Sequence, residues 1–349
     1  MDNASSGEIP KRKKEHLELC LTDKVAFRKK SSGLGSYEFI HYAITEVELE
    51  KLDLSRDFFG FKINYPFLIS CMTGGTGEAE NINAQLAVAA SELNIPIGVG
   101  SQRQALENSR FAESYKTVRK NAPKVPVLAN IGAAQVVQMN SIHDVQYLID
   151  LVEAQALVIH LNPLQELMQK DGDTNFKGLL KKIEWIAGGV KTPVIAKEVG
   201  AGISLKAAEK LLQAGVKAID VAGAGGTSWA GVEILRNKEE KNSDFWDWGL
   251  PTSYCIKEVR KLKNEFDFIL IGSGGINSGM DAAKAIALGA DMTASARTVL
   301  QKLNKDGIQG VKDLVRDWFN TVKNVMYLTG SESPDELRNQ KLINKEELY

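Results

Sequence analysis

Residues 156–166 read ALVIHLNPLQE. The run begins as apolar residues of strand composition and stops abruptly at His160, Asn162, Gln165 and Glu166, grouped around Pro163. A buried strand whose carboxyl end opens into a site has this pattern. A strand running into an ordinary polar loop has it too, so the segment must be judged by whether other strands end the same way.

They do. Apolar, strand-like runs recur at 67–71, 95–99, 125–129, 156–160, 193–197, 217–221, 268–272 and 291–296. Between them, helical spacing predicts helices at 79–93, 107–121, 142–154, 177–188, 204–214, 253–265 and 279–288, with a last one near 311–327. Ser141, Ser204, Thr252 and Ser278 are candidate N-caps, and Gly215 and Gly289 mark helix ends. Eight strand signals alternating with eight helix signals predict an α/β chain, a (β/α)8 TIM barrel over residues 66–349. An open doubly wound sheet is the alternative. Residues 231–249, GVEILRNKEEKNSDFWDWG, read as an insertion after the sixth strand.

Residues 1–65 read as an N-terminal extension packed on the barrel. Residues 1–10 are expected to be disordered. Lys11, Arg12, Lys13 and Lys14 then give either a solvated helix start or a basic lid over an anionic ligand. Phe58, Phe59, Phe61 and Ile63 suggest short strands.

A net charge of −1 argues against nucleic acid or membrane surfaces as partners. Three widely spaced cysteines make neither a disulfide framework nor a zinc site. With no apolar run of membrane-spanning length and no signal-peptide pattern, a cytoplasmic protein is expected.

Chemistry in a barrel gathers where strands end. Those ends carry Met72-Thr73-Gly74-Gly75, Ser101-Gln102-Arg103, Asn130, the opening cluster, Lys197-Glu198, a Gly-rich run to Thr227, Gly272-Ser273-Gly274-Gly275-Ile276, and Ala296-Arg297. The last two suit a phosphate held by backbone N–H groups. Lys197 suits an electron-rich ring, with a structural pairing to Glu198 as the plainer reading. Thr73, Asn130 and Thr227 could hydrogen-bond a heterocycle. Flavin mononucleotide (FMN) fits better than a nicotinamide dinucleotide, because no G-x-G-x-x-G follows the first strand. Arg12, Lys13, Ser101, Arg103 and Gln165 suit a highly anionic small molecule such as a diphosphate, and Glu166 suits Mg2+, with a solvated loop carboxylate as the plainer reading. His16 and His160 are acid–base candidates or packing residues.

The motifs RKKEHLEL (12–19), MTGG (72–75), GVGSQR (98–103), HLNPLQE (160–166), KEVGAGIS (197–204), AGAGGTSW (222–229), DWG (247–249) and GSGGINSGMDAAKAIALGAD (272–291) resemble type 2 isopentenyl-diphosphate delta-isomerase. They run in that family's order from residue 12 to about 300. The last is shared with other phosphate-binding barrels; RKxEH, GVGSQR and HLNPLQE together are specific. The resemblance implies an FMN-dependent isomerase of isoprenoid biosynthesis that interconverts isopentenyl and dimethylallyl diphosphate by a 1,3-allylic proton shift. It implies reduced FMN as acid and base, Mg2+, and NAD(P)H as flavin reductant. It places FMN on Met72, Thr73, Gly74, Ser101, Asn130, Lys197, Thr227, Gly275, Ile276, Asn277, Ala296 and Arg297. The diphosphate falls to Arg12, Lys13, Ser101, Gln102, Arg103 and Gln165, and Mg2+ to Glu166, with His160 and Gln165 supporting the chemistry. It also implies a homotetramer or homooctamer, for which Phe245-Trp246 is a candidate contact. Two departures stand out: Ala222 replaces a flavin-contacting serine of some members, and Arg297-Thr298 replaces a more apolar pair.

Three rivals carry different demands. A 2-hydroxy-acid oxidase needs a histidine base near the flavin and arginines for a carboxylate; His160 lies in a motif that explains it otherwise, and no histidine follows strand seven. An inosine-monophosphate dehydrogenase-like enzyme needs a loop cysteine, whereas Cys255 falls in a predicted helix. A non-catalytic flavin or phosphate binder differs only in lacking turnover.

Overall fold

Along residues 156–161, Leu157 and Ile159 face outward into a helical layer, while Ala156 and Val158 face a separate interior cluster. This two-residue period repeats around the chain and closes it on itself. In the computed structural model, which describes residues 5–238 and 240–348, the strands are β1 (Tyr37–Phe39), β2 (Arg56–Phe58), β3 (Phe61–Ile63), β4 (Phe67–Ile69), β5 (Ile97–Gly98), β6 (Val127–Gly132), β7 (Ala156–Leu161), β8 (Val194–Glu198), β9 (Ala218–Asp220), β10 (Ile269–Ser273), β11 (Met292–Ser295) and β12 (Leu342–Asn344). Strands β4 to β11 form a closed parallel barrel in sequence order, β11 pairing with β4. The alternative of an open sheet is excluded.

Leu68, Leu128, Val158, Ile195, Ile271 and Met292 fill the barrel interior. The antiparallel hairpin β2–β3 contributes Phe58 and Ile63 to the same cluster, stoppering the amino-terminal end. The same alternation carries the next inward positions, Asn130, His160, Lys197, Asp220 and Ser273, to the carboxyl end. His160 pairs in register with Lys197, and Lys197 with Asp220. Polar groups therefore sit in one layer because the apolar layer below them is complete.

Outside the barrel, helix Ser5–Cys20 begins within the stretch expected to be disordered; residues 1–4 of that stretch lie outside the described residues. Its Leu17 and Cys20 pack with Val25, Val232 and Leu300, which fixes it across the mouth. Strand β1 pairs with β12 near the carboxyl terminus.

Several predicted elements are corrected. The helix expected at 107–121 is broken: Asn108 is extended, and its side chain accepts from the Arg110 N–H, separating Arg103–Glu107 from Glu113–Asn121. The last helix runs Arg297–Thr329, interrupted at Gly307 by a left-handed φ of 65°. Residues 231–249 are not simply an inserted loop, since Trp229–Asn237 is helical. Thr252 is no N-cap. Its hydroxyl donates to the Gly274 carbonyl at 2.6 Å, tying helix Thr252–Val259 to the loop after β10. Trp246 is unsuited to a subunit contact because it is only 2% exposed, donates to the Ala26 carbonyl and lies under the Arg28 guanidinium.

Candidate active site

The carboxyl ends of the barrel strands and helix Ser5–Cys20 enclose one cavity. Eleven of the twelve residues expected around a flavin line it, all but Ile276, which is 1% exposed and belongs to the core. Arg12, Lys13, Ser101, Arg103, Gln165, Glu166 and His160 line it as well. Gln102 does not. Its amide nitrogen donates to the Leu148 carbonyl at 2.9 Å and its oxygen accepts the Asn130 N–H at 2.8 Å, so this side chain braces the wall from behind. The Gln102 side chain therefore faces away from the cavity that the other expected diphosphate residues line.

On one side of the mouth converge donors without a hydrogen-bond acceptor among the described residues. Among the described residues, buried Arg297 Nη1 and buried Ser70 Oγ have no hydrogen-bond partner, though Arg297 Nη1 lies 4.0 Å from the carboxylate of exposed Asp23. Asn277 Oδ1 accepts from Thr298, which leaves its amide N–H groups free to point elsewhere. Arg297 opens helix Arg297–Thr329, whose first-turn amides have no intrahelical acceptor. Gly274 and Gly275 take φ of 92° and 70°. A Cβ on Gly275 would stand 2.6 Å from the Gly225 carbonyl oxygen, so the cradle closes only around glycine. Cationic and hydroxyl donors that lack hydrogen-bond acceptors, beside exposed backbone, fit a ribityl phosphate. Gly275→Ala is expected to cost about 2 kcal/mol from strain and displaced backbone. The melting temperature and the flavin content of the purified variant should fall together.

Deeper in, Lys197 Nζ donates to the Glu198 carbonyl at 2.7 Å and lies 3.9 Å from Asp220 Oδ2. The charge partner of Lys197 is thus Asp220, not the Glu198 carboxylate. The latter turns away and accepts backbone N–H groups from Val199 to Gly202, which shapes the loop after β8. Asp220 Oδ1 accepts the Ser273 hydroxyl, and Oδ2 has no hydrogen-bond partner. Burial raises the Asp220 pKa against the pull of Lys197 and Ser273.

His160 Nδ1 lies 2.8 Å from Asn130 Oδ1, and Asn130 Nδ2 donates to the Val99 carbonyl. That fixed amide assigns the His160 proton to Nδ1 and leaves Nε2 as an acceptor. Burial, then Lys197 and Lys13, lower its pKa to about 4. The folded chain therefore keeps His160 neutral at pH values where the unfolded chain, titrating near 6.5, takes up a proton. Its stability contribution is present above pH 6.5 and is lost as the pH falls toward 4. Urea midpoints measured from pH 7 to 4.5 should decline, and His160→Gln should decline less steeply.

The other side of the mouth is built for anions. Lys13 Nζ donates to Gly74 O at 2.5 Å and to Tyr115 Oη at 3.2 Å; burial, followed by Arg12, lowers its pKa to about 7. Glu166 Oε1 accepts from Asn162 Nδ2 at 3.0 Å, and Oε2 accepts from the Asp173 N–H at 2.9 Å. Asn162 Oδ1, buried beside it, has no partner. One carboxylate with an unpaired amide oxygen and open positions suits Mg2+ that shares its remaining ligands with phosphates.

Residues that the sequence reading passed over complete this side. Glu233 is fully buried; its carboxylate lies 2.9 Å from His16 Nε2, accepts from Gln165 Nε2 at 3.2 Å, and pairs with Arg236. His16 also packs edge-on to Trp229, with ring centroids 5.1 Å apart. Gln104 lines the cavity with a buried, unpartnered Oε1. Spacing of Trp229, Glu233 and Arg236 on one helical face was the available signal. It lay hidden in the stretch read as an insertion.

Comparison with known proteins settles the lineage. The FMN-dependent dehydrogenase profile matches residues 5–114 and 154–345. Isopentenyl-diphosphate delta-isomerase of Chlorobium limicola is 45% identical over 358 residues, covering 99% of each chain. The chain belongs to the isopentenyl-diphosphate delta-isomerase family. The Nostoc sp. isomerase is 44% identical, covering 98% of each chain. This isomerase family member is accordingly an enzyme, and the profile match supports FMN as its cofactor. Among solved structures, a Pediococcus acidilactici lactate oxidase superposes with a TM-score of 0.66 at 16% identity, over 97% of this chain and 93% of its own. A mandelate oxidase carrying an FMN adduct gives 0.63 at 17%, over 94% and 92%. At such identity these share the barrel with the isomerase, and the likeness extends to fold alone. Among the described residues no helix is long and apolar enough to cross a membrane.

Proposed function

We propose that this enzyme interconverts isopentenyl diphosphate and dimethylallyl diphosphate by a 1,3-allylic proton shift, with FMN, Mg2+ and NAD(P)H as flavin reductant. The supporting observation is the division of one cavity into two chemically distinct halves. Arg297 and Ser70, whose Nη1 and Oγ have no hydrogen-bond partner among the described residues, the Gly274–Gly275 cradle and Lys197 stand on one side. Arg12, Lys13, Arg103, Gln165 and Glu166 stand on the other.

When bound and reduced, FMN supplies the proton donor and acceptor for the shift. Lys197 holds positive charge where the flavin ring would lie. Arg297 and the first turn of its helix hold the flavin phosphate. Arg12, Lys13 and Arg103 take the diphosphate, while Glu166, with Asn162 Oδ1 beside it, holds Mg2+ against it. His160, neutral and fixed by Asn130, orients the ligand through Nε2. Gln165 lines the cavity, its amide positioned by Glu233 and Asn162. Helix Ser5–Cys20 excludes water above the hydrocarbon, with Leu17 and Cys20 lining the cavity.

A cytoplasmic homo-oligomer acting in isoprenoid biosynthesis belongs to the same proposal. The test is an anaerobic assay in which FMN, Mg2+ and NADPH are omitted in turn. Isomerisation should need all three, with NADPH required in amounts far below product. Stoichiometric NADPH consumption, or full activity without FMN, would contradict the proposal.

A further inference from the structure

The opposite end of the barrel carries a second cavity, of about 590 Å3, where residues 260–264 lead toward β10 and Leu288–Gly289 lead toward β11. Lys257, Arg260, Lys261, Lys263, Arg338 and Lys341 line it, together with the amides of Asn264, Asn339 and Gln340, and among the described residues no carboxylate does. In a chain of net charge −1, six cations around one cavity is a concentration that demands a cause.

Structural pairing accounts for half of it. Lys263 pairs with Asp291 at 2.6 Å, Arg338 pairs with Asp291 and with Asp335, and Lys261 pairs with Glu258 at 2.6 Å. Glu38, next to Tyr37, is taken by Lys345 at 3.0 Å. Among the described residues, Lys257, Arg260 and Lys341 have no carboxylate partner. Lys257 reaches only the Tyr37 hydroxyl at 3.2 Å, and Arg260 only the Leu288 carbonyl at 3.2 Å.

The wall is also preformed. Gly289, at φ 125°, lets Arg260 lie against the turn; a Cβ there would come within 2.6 Å of Arg260 Cδ. The Arg260 guanidinium is thereby fixed at the cavity rather than free in solvent, as phosphate recognition favours. Cavities of several hundred Å3 take molecules of nucleotide or prenyl-diphosphate size.

We propose that this cavity binds a small polyanion carrying two or more phosphate groups, without Mg2+. The absence of a lining carboxylate separates it from the catalytic cavity, where Glu166 can recruit the metal.

The probe is inorganic pyrophosphate, titrated calorimetrically into the FMN-loaded enzyme with Mg2+ removed. Beyond any pyrophosphate taken by Arg12 and Arg103 in the catalytic cavity, one per chain should bind, with affinity falling steeply as salt rises. Lys257→Glu combined with Lys341→Glu should raise the Kd of this site about tenfold or more, while Arg103→Gln, a change confined to the catalytic cavity, leaves it unchanged and isomerase turnover of the double variant stays at the wild-type level. If the double variant is unstable, the corresponding Lys→Gln pair should raise the Kd by a smaller factor. ATP and dimethylallyl diphosphate, titrated the same way, distinguish a nucleotide from a prenyl diphosphate as occupant. No Mg2+-free binding, or binding that ignores both double variants, overturns the proposal.

Discussion

Replacing Glu166 by Gln is expected to lower isomerase turnover by more than about a hundredfold while leaving the yellow flavin bound. The carboxylate is the only acidic side chain lining the cavity among the described residues. Its geometry is set by Asn162, Gln169 and the Asp173 N–H, none of which belongs to the flavin half. Gln keeps the shape and most of the hydrogen bonding but removes the charge that a hard cation needs. Diphosphate affinity should therefore fall in the presence of Mg2+ and change little without it. Flavin absorbance and a diphosphate titration separate the two effects. Loss of FMN from this variant would count against two independent halves.

Replacing Lys197 by Met is expected to act on stability and on the flavin at once. Among the described residues Lys197 is the one cation paired with Asp220, whose Oδ2 is buried and has no hydrogen-bond partner. Breaking such a pair from one side costs about 3 kcal/mol, because the remaining charge is stranded. Asp220 answers by taking up a proton, so the loss should be smaller at low pH than at high pH. Asp220→Asn made in the same background should recover part of the stability by removing the stranded charge. It should not restore flavin affinity or turnover, since the ammonium that faces the ring stays absent. Equal losses in the single and double variants would mean that the two side chains are not coupled.

These two residues show what the sequence displays and what it conceals. Lys197 and His160 were visible because each ends an apolar run, and a charged or polar residue at the carboxyl end of a barrel strand has few structural reasons to be there. Asp220 occupies the equivalent position in β9. It reads as part of a buried run, since nothing in a single chain says that Lys197 lies opposite it until the register is set. Gln102 was obscure for the converse reason. Ser101, Gln102 and Arg103 are consecutive, but a turn sends neighbours in different directions, and Gln102 points back to Leu148 and Asn130. Glu233 became visible only when Trp229–Asn237 proved helical. Helix Ser5–Cys20 has weak patterning of its own and gains its place from Val232 and Leu300, over 200 residues away. Long-range packing of this kind leaves no local mark.

Reaction with competing substrates tests the account most directly. The enzyme, loaded with FMN and reduced anaerobically by NADPH in the presence of Mg2+, is given isopentenyl diphosphate; the oxidised form is separately given lactate or mandelate. The account predicts dimethylallyl diphosphate in the first reaction and an unchanged yellow flavin in the second. A flavin bleached by the hydroxy acid, with no dimethylallyl diphosphate formed from isopentenyl diphosphate, would contradict it.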